Sequence, residues 1–153
     1  MKTIIGTKAD VAKELTAQVA AVLASKPEAN IAISAVDLPA EVLDALAASD
    51  IAFDRATLFQ ACEYCGAAGK GAHAVGTAFS PLTAAKPFAA VHAPDPDADA
   101  EHAADYDAAI QAAGGLDLVI LGLGERGHVA FNEPGAGFGE KTHIAKLCLL
   151  YTS

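Results

Sequence analysis

Apolar positions recur along the first third of the chain with two different periods. Val11, Leu15, Val19, Val22 and Leu23 fall at helical spacing up to Ser25, where Lys26-Pro27 closes the run. Thr7, with Asp10 three residues later, has the form of a capping signal for that helix. Before it, Lys2 to Gly6 reads as a short strand; after it come a strand at Asn30 to Ser34, a helix at Leu38 to Ala48 and a strand at Thr57 to Ala61. The order is thus β-α-β-α-β. Gly66 to Gly76 is small and Gly-rich and reads as a loop. A strand at Phe88 to His92 is punctuated by Ala93-Pro94-Asp95-Pro96-Asp97, and a helix from about Asp99 to Ala113 ends at Gly114-Gly115. Leu116 to Leu121, with Asp117 its only polar member, is the clearest buried strand, and Thr142 to Leu150 reads as the next one.

Strands separated by helices imply right-handed crossovers and a mostly parallel sheet, so the fold class is α/β, a three-layer Rossmann-like domain. Ligands of such sheets bind beyond the carboxyl ends of the strands. The loop after Leu121 is therefore the first place to look for chemistry.

Composition narrows the picture. Of 153 residues 53% are apolar, but 37 are alanine, which favours helix more than burial, so the larger side chains suffice for one domain. No apolar run is long enough to span a bilayer, and Lys8 and Asp10 interrupt the N-terminus before any leader-like stretch. A cytoplasmic location is expected. The net charge of −9, with Lys and Arg scattered singly, makes nucleic acid and anionic membrane poor partners. Cys62, Cys65 and Cys148 are expected to stay reduced.

The loop after Leu121 runs Gly122-Leu123-Gly124-Glu125-Arg126-Gly127-His128-Val129-Ala130-Phe131-Asn132-Glu133-Pro134-Gly135. Its G-x-G-x-x-G spacing is that of a dinucleotide turn, yet Pro134 and Gly135 stop the long helix such a turn needs. What the glycines allow is close backbone approach and N–H groups offered to an anion. His128 stands at the edge of that pocket, five residues before Glu133. A carboxylate accepting the imidazole N–H would fix its tautomer, and with an ordinary pKa of about 6.5 the ring suits proton transfer near neutrality. Spacing alone leaves open that Glu133 is a solvated loop carboxylate.

The string Leu121 to Gly135 closely resembles the motif of the glucosamine-6-phosphate deaminase (isomerase) family, Gly-x-Gly-x-x-Gly-His followed by Asn-Glu-Pro. Phe59-Gln60-Ala61-Cys62-Glu63-Tyr64-Cys65-Gly66 is similar to the family's strand ending in Asp-Glu-Tyr, and Ala93-Pro94-Asp95 matches its approach to the motif. The resemblance implies an enzyme of carbohydrate metabolism, an aldose-ketose isomerase and hydrolase that converts an amino-sugar 6-phosphate to fructose 6-phosphate and ammonia. Ring opening, proton transfer from C2 to C1 and deamination are its steps, and no metal or organic cofactor is implied. His128 would be the ring-opening acid/base and Glu133 its orienting carboxylate. Ser34, Gly124, Gly127 and Asn132 would contact substrate, and a homo-oligomer is compatible with the family. The related 6-phosphogluconolactonases share the Gly-His turn but lack Asn-Glu-Pro, so a lactonase is an alternative, as is a non-catalytic sugar-phosphate-binding homologue.

The chain departs from the family in several places. Cys62 stands where the family has the Asp that shuttles the C2 proton. Cys62 is expected to face the same pocket as His128 and to react with a small alkylating reagent. Together with Cys65 it forms C-x-x-C, but no further ligands complete a zinc site. Arg126 stands where the family has Asp or Asn, and exposure to solvent is the expectation for it. In place of the family's phosphate-binding Thr-Gly-Gly turn the chain has Ser34-Ala35-Val36-Asp37-Leu38-Pro39. Asp37 threatens like-charge repulsion of about 4 kcal/mol at 4 Å in an effective dielectric near 20. Residues 1–147 read as a partial domain, incomplete at its C-terminus, and Cys148 to Ser153 as a non-native tail, since one frame of a common sequencing adapter encodes it.

Overall fold

Helix α1 (Lys8–Ser25) begins where the sequence signals it. The Thr7 hydroxyl accepts the Asp10 N–H at 3.3 Å while the Asp10 carboxylate accepts the Thr7 N–H at 2.9 Å, a reciprocal capping box. The computed structural model describes residues 3–65, 74–99, 101–137 and 139–147. After α1 come β1 (Asn30–Ile33), α2 (Ala40–Ala48), β2 (Thr57–Gln60), α3 (Ala74–Thr77), α4 (Ser80–Ala85), β3 (Ala90–His92), α5 (Ala103–Ala112) and β4 (Leu118–Ile120). The four strands form one parallel sheet in the order β3-β2-β1-β4, with Ile31 opposite both Leu58 and Leu118.

Alternation along the strands divides the core into two layers. Ile31, Ile33, Leu58 and Ile120 point to one face, where they meet Val19 and Leu23 of α1, Val42, Leu43 and Leu46 of α2 and Leu82 of α4. Ala32 and Phe59 point to the other face and are buried there; Tyr106 of α5 packs edge-on against Phe59 with ring centroids 6.2 Å apart. Helices thus flank both faces, as expected for a three-layer α/β fold. At the amino ends of the strands Asp117 ties β4 to β1: its carboxylate accepts the Asn30 N–H at 2.8 Å and pairs with Lys26 at 2.8 Å.

Four sequence-based expectations fail. The strand expected to be the clearest buried one, at Leu116 to Leu121, is β4 at an edge of the sheet, paired on one side only among the described residues, with Val119 46% and Leu121 45% exposed. Residues 3–6 form no strand, and Ile5 is 96% exposed: β1 is enclosed by β2 and β4, and the arm runs into the Thr7–Asp10 cap without pairing to the outer edge of β3 or β4. Lys2 lies outside the described residues. Residues 142–147 are not a strand either: the Asp107 carboxylate accepts both the Thr142 N–H and its hydroxyl at 3.0 Å, which holds this segment on α5 instead of the sheet. The expected loop at Gly66 to Gly76 already becomes helical at Ala74, its earlier part and the 148–153 tail lying outside the described residues. No helix among the described residues is long and apolar enough to cross a membrane.

Candidate functional site

The strand order reverses between β1 and β4. β1, β2 and β3 step outward in one direction, and the chain then returns to place β4 on the far side of β1. At such a switch the loops leaving the two strands diverge and open a crevice at their carboxyl ends. These loops are 34–39 after β1 and 121–135 after β4.

The second loop folds on itself. Val129 and Asn132 exchange backbone hydrogen bonds of 3.0 and 3.1 Å across a two-residue turn in which Ala130 has φ 54°. A left-handed alanine carries a steric cost, and here the turn that requires it reverses the chain so that Glu133 comes back beside His128. His128 Nε2 lies 2.8 Å from Glu133 Oε2; the imidazole is buried, whereas 41% of the Glu133 side chain is exposed. With Nε2 donating to the carboxylate, Nδ1 faces Gly124: a Cβ placed on that glycine would stand 3.2 Å from Nδ1.

The first loop is pressed into the glycines of the second. A Cβ on Gly122 would meet Asp37 C at 2.3 Å and Val36 O at 2.4 Å, and one on Gly124 would meet Asp37 Oδ2 at 2.7 Å. These glycines therefore admit the chain's own β1 loop, with Asp37 held at φ 55°. The expected cradle of free N–H groups is partly spent as well. Gly124 N–H donates to the His128 carbonyl at 3.0 Å and Gly127 N–H to the Gly124 carbonyl at 2.9 Å.

Cys62 follows β2 and is buried, its Sγ 3.6 Å from the hydroxyl of the fully buried Ser34. Burial pushes its thiol up to about 11, partly opposed by the Ser34 hydrogen bond. Ready alkylation is therefore not what this environment favours. Iodoacetamide at pH 7.5 should modify the exposed Cys65 and spare Cys62, whose rate should climb about tenfold per pH unit until near pH 11. Mass-spectrometric peptide mapping reads this, and equal labelling of the two at pH 7.5 would contradict the assignment.

Beside Cys62, Glu63 acts as a structural anchor. Its carboxylate accepts Gln60 Nε2 and the N–H groups of Tyr64, Val75 and Gly76 at 2.8 to 3.0 Å. Burial works to raise its pKa, but these hydrogen bonds outweigh it and hold the carboxyl below the usual range. Tyr64 then meets Phe131 with ring centroids 4.8 Å apart, joining the end of β2 to the His128 loop. A cleft of about 1170 Å³ runs along this junction, lined by Cys62, Tyr64, Tyr106, Asn132 and Glu133 among others. Arg126 is exposed, as expected.

The structure thus brings His128, Glu133 and Gly124 into contact and sets Cys62 and Asn132 along one cleft. Ser34 is turned inward to Cys62. One contributor is singled out in the sequence for its charge alone and another has no motif there. Asp37, the first, enters the crevice through a left-handed turn. Tyr106, the single aromatic on α5, donates its hydroxyl to the Gln60 carbonyl at 2.8 Å, with the His92 carbonyl 3.2 Å away, and so fixes the cleft wall to β2 and β3.

A family model described as glucosamine-6-phosphate isomerases/6-phosphogluconolactonase matches residues 6–145. The chain is 35% identical over 153 residues to a glucosamine-6-phosphate deaminase of Pseudarthrobacter chlorophenolicus, covering 94% of this chain and 59% of that protein. It is 37% identical over 139 residues to one from Mycolicibacterium smegmatis, covering 84% and 53%. The chain therefore spans little more than half the length of these curated relatives. Among solved structures, a 6-phosphogluconolactonase from Thermotoga maritima superposes with a TM-score of 0.64 at 22% identity, over 84% of this chain and 62% of that one.

Proposed function

Since the chain belongs to the glucosamine-6-phosphate isomerase and 6-phosphogluconolactonase family, we propose that its site opens the ring of an amino-sugar 6-phosphate, the glucosamine compound in its relatives' names. The observation that carries this reading is the buried His128 with Glu133 on Nε2 at 2.8 Å and Nδ1 turned to the crevice. Ring opening of a hemiacetal asks for one group that takes the proton from the C1 hydroxyl and returns one to the ring oxygen as the C1–O5 bond breaks. An imidazole does both in turn, and a carboxylate on its far nitrogen stabilises the imidazolium between them. Glu133 supplies that partner.

Deamination asks for a second base to move a proton from C2 to C1. Cys62 occupies the position where the family resemblance puts that base, and its thiol holds its proton near neutrality. We therefore propose a site that opens the ring while releasing ammonia poorly.

In deuterated buffer with glucosamine 6-phosphate, NMR follows exchange between the two anomers while ammonia is assayed in parallel. The expected result is accelerated anomer exchange with ammonia at the level of a His128→Ala control. Absence of accelerated exchange would remove the ring-opening reading. Ammonia well above the control would show that Cys62 is no obstacle.

A further inference from the structure

The crevice between β1 and β4 is where an anionic ligand group would be sought in a parallel sheet, at a Gly-rich turn beyond a strand end. In this chain a carboxylate is already there. Asp37 Oδ2 and His128 Nδ1 converge on the same point, the position a Cβ of Gly124 would occupy, at 2.7 and 3.2 Å. Asp37 is held there by its left-handed backbone and by the close fit of residues 36 and 37 against Gly122. Its charge is also felt across the site: the Tyr64 hydroxyl is raised by burial first, then by Cys62, Glu63 and Asp37.

We propose that Asp37 sets the charge selectivity of this site: its tethered carboxylate competes with a ligand's phosphate for the crevice, so that a sugar phosphate is bound no better than the same sugar without phosphate. The inference rests on the amino-sugar reading above and extends it to the charge of the ligand. The neighbouring cleft reinforces the effect, since among its described lining residues Lys141 is the only lysine or arginine, against seven carboxylates. A dianion entering here meets negative potential on both sides, whereas the ammonium of an amino sugar is drawn in.

Asp37→Asn isolates the charge. Asn keeps the size of the side chain and is, with Asp, among the few non-glycine residues that accept a left-handed backbone. Dissociation constants of glucosamine and of glucosamine 6-phosphate are measured by calorimetry on the full chain and on the variant, with circular dichroism to establish that both fold alike. In the parent chain the two ligands should bind within about threefold of each other. In the variant the 6-phosphate should gain about tenfold or more while glucosamine stays within about threefold. Raising the salt from low to physiological strength should narrow the difference between parent and variant, as screening requires. A 6-phosphate that already binds the parent more than about tenfold better than glucosamine, or a ratio unmoved by the substitution, would overturn the role of Asp37 and leave the amino-sugar reading standing. If neither sugar binds either protein, the amino-sugar reading fails and this inference fails with it.

Discussion

Replacing His128 by alanine should abolish the chain's acceleration of ring opening, a loss of about 10²- to 10⁴-fold, the range over which a positioned acid/base contributes. The imidazole is buried with Glu133 as its carboxylate partner, and neither Cys62, which holds its proton up to about pH 11, nor the exposed Arg126 replaces it; Asp37 Oδ2, which converges on the same point as Nδ1, accounts for the lower end of that range. Glu133→Gln should cost less, because an amide can still hydrogen-bond Nε2 while losing the charge that stabilises the imidazolium. Anomer exchange rates measured on parent and variants, each checked for folding, decide the point. A His128→Ala protein within threefold of the parent would place the chemistry elsewhere.

The largest loss of stability should follow Phe59→Ala. Phe59 is fully buried on the α5 side of the sheet, stacked on His92 with ring centroids 4.7 Å apart and met edge-on by Tyr106. Truncation removes both ring contacts and opens a cavity beneath the helix, for an expected cost of about 3–5 kcal/mol. Against a typical total of about 5–15 kcal/mol that is a large fraction. Urea denaturation gives the difference directly, and Phe59→Leu should lose much less. The same variant should loosen the Tyr106 hydroxyl from the Gln60 and His92 carbonyls, so the cleft wall should suffer before the His128 pair does. A loss below about 1.5 kcal/mol would mean that α5 owes little to this ring.

What could be read from the chain, and what could not, follows the range of the interactions. The Thr7–Asp10 box, the apolar period of α1, and the strands at Asn30, Thr57, Phe88 and Leu116 are local signals, and each element appears within a few residues of its expected place. The arm at Ile4-Ile5 has strand-like residues but pairs with no strand among the described residues, and no window of sequence tells whether a sheet edge receives it. Helix α4 did carry a local sign, Pro81 in its first turn, beside short and ambiguous apolar spacing. The His128–Glu133 contact was open at the level of spacing because it depends on the left-handed Ala130, which alanine rarely adopts. The position of Asp37 is further from view still. It needs β1 and β4 to be neighbours before Gly122 and Gly124 can receive it.

That adjacency also bears on how the protein acquires its site. Asn30 and Asp117 meet across 87 positions of sequence, whereas β1 pairs with β2 and β2 with β3 over much shorter stretches. Closing so long a loop costs more chain entropy, and it becomes favourable only once the intervening sheet and helices offer β4 something to dock on. A nascent chain that has formed β1 through β3 holds most of the apolar core yet has no crevice, because one of the crevice's two walls arrives with β4. In pulse-labelling hydrogen exchange the Asp117 and Ile120 contacts to β1 should accordingly gain protection after those between β1 and β2, so that the protein becomes competent to bind only in the last stage of its folding.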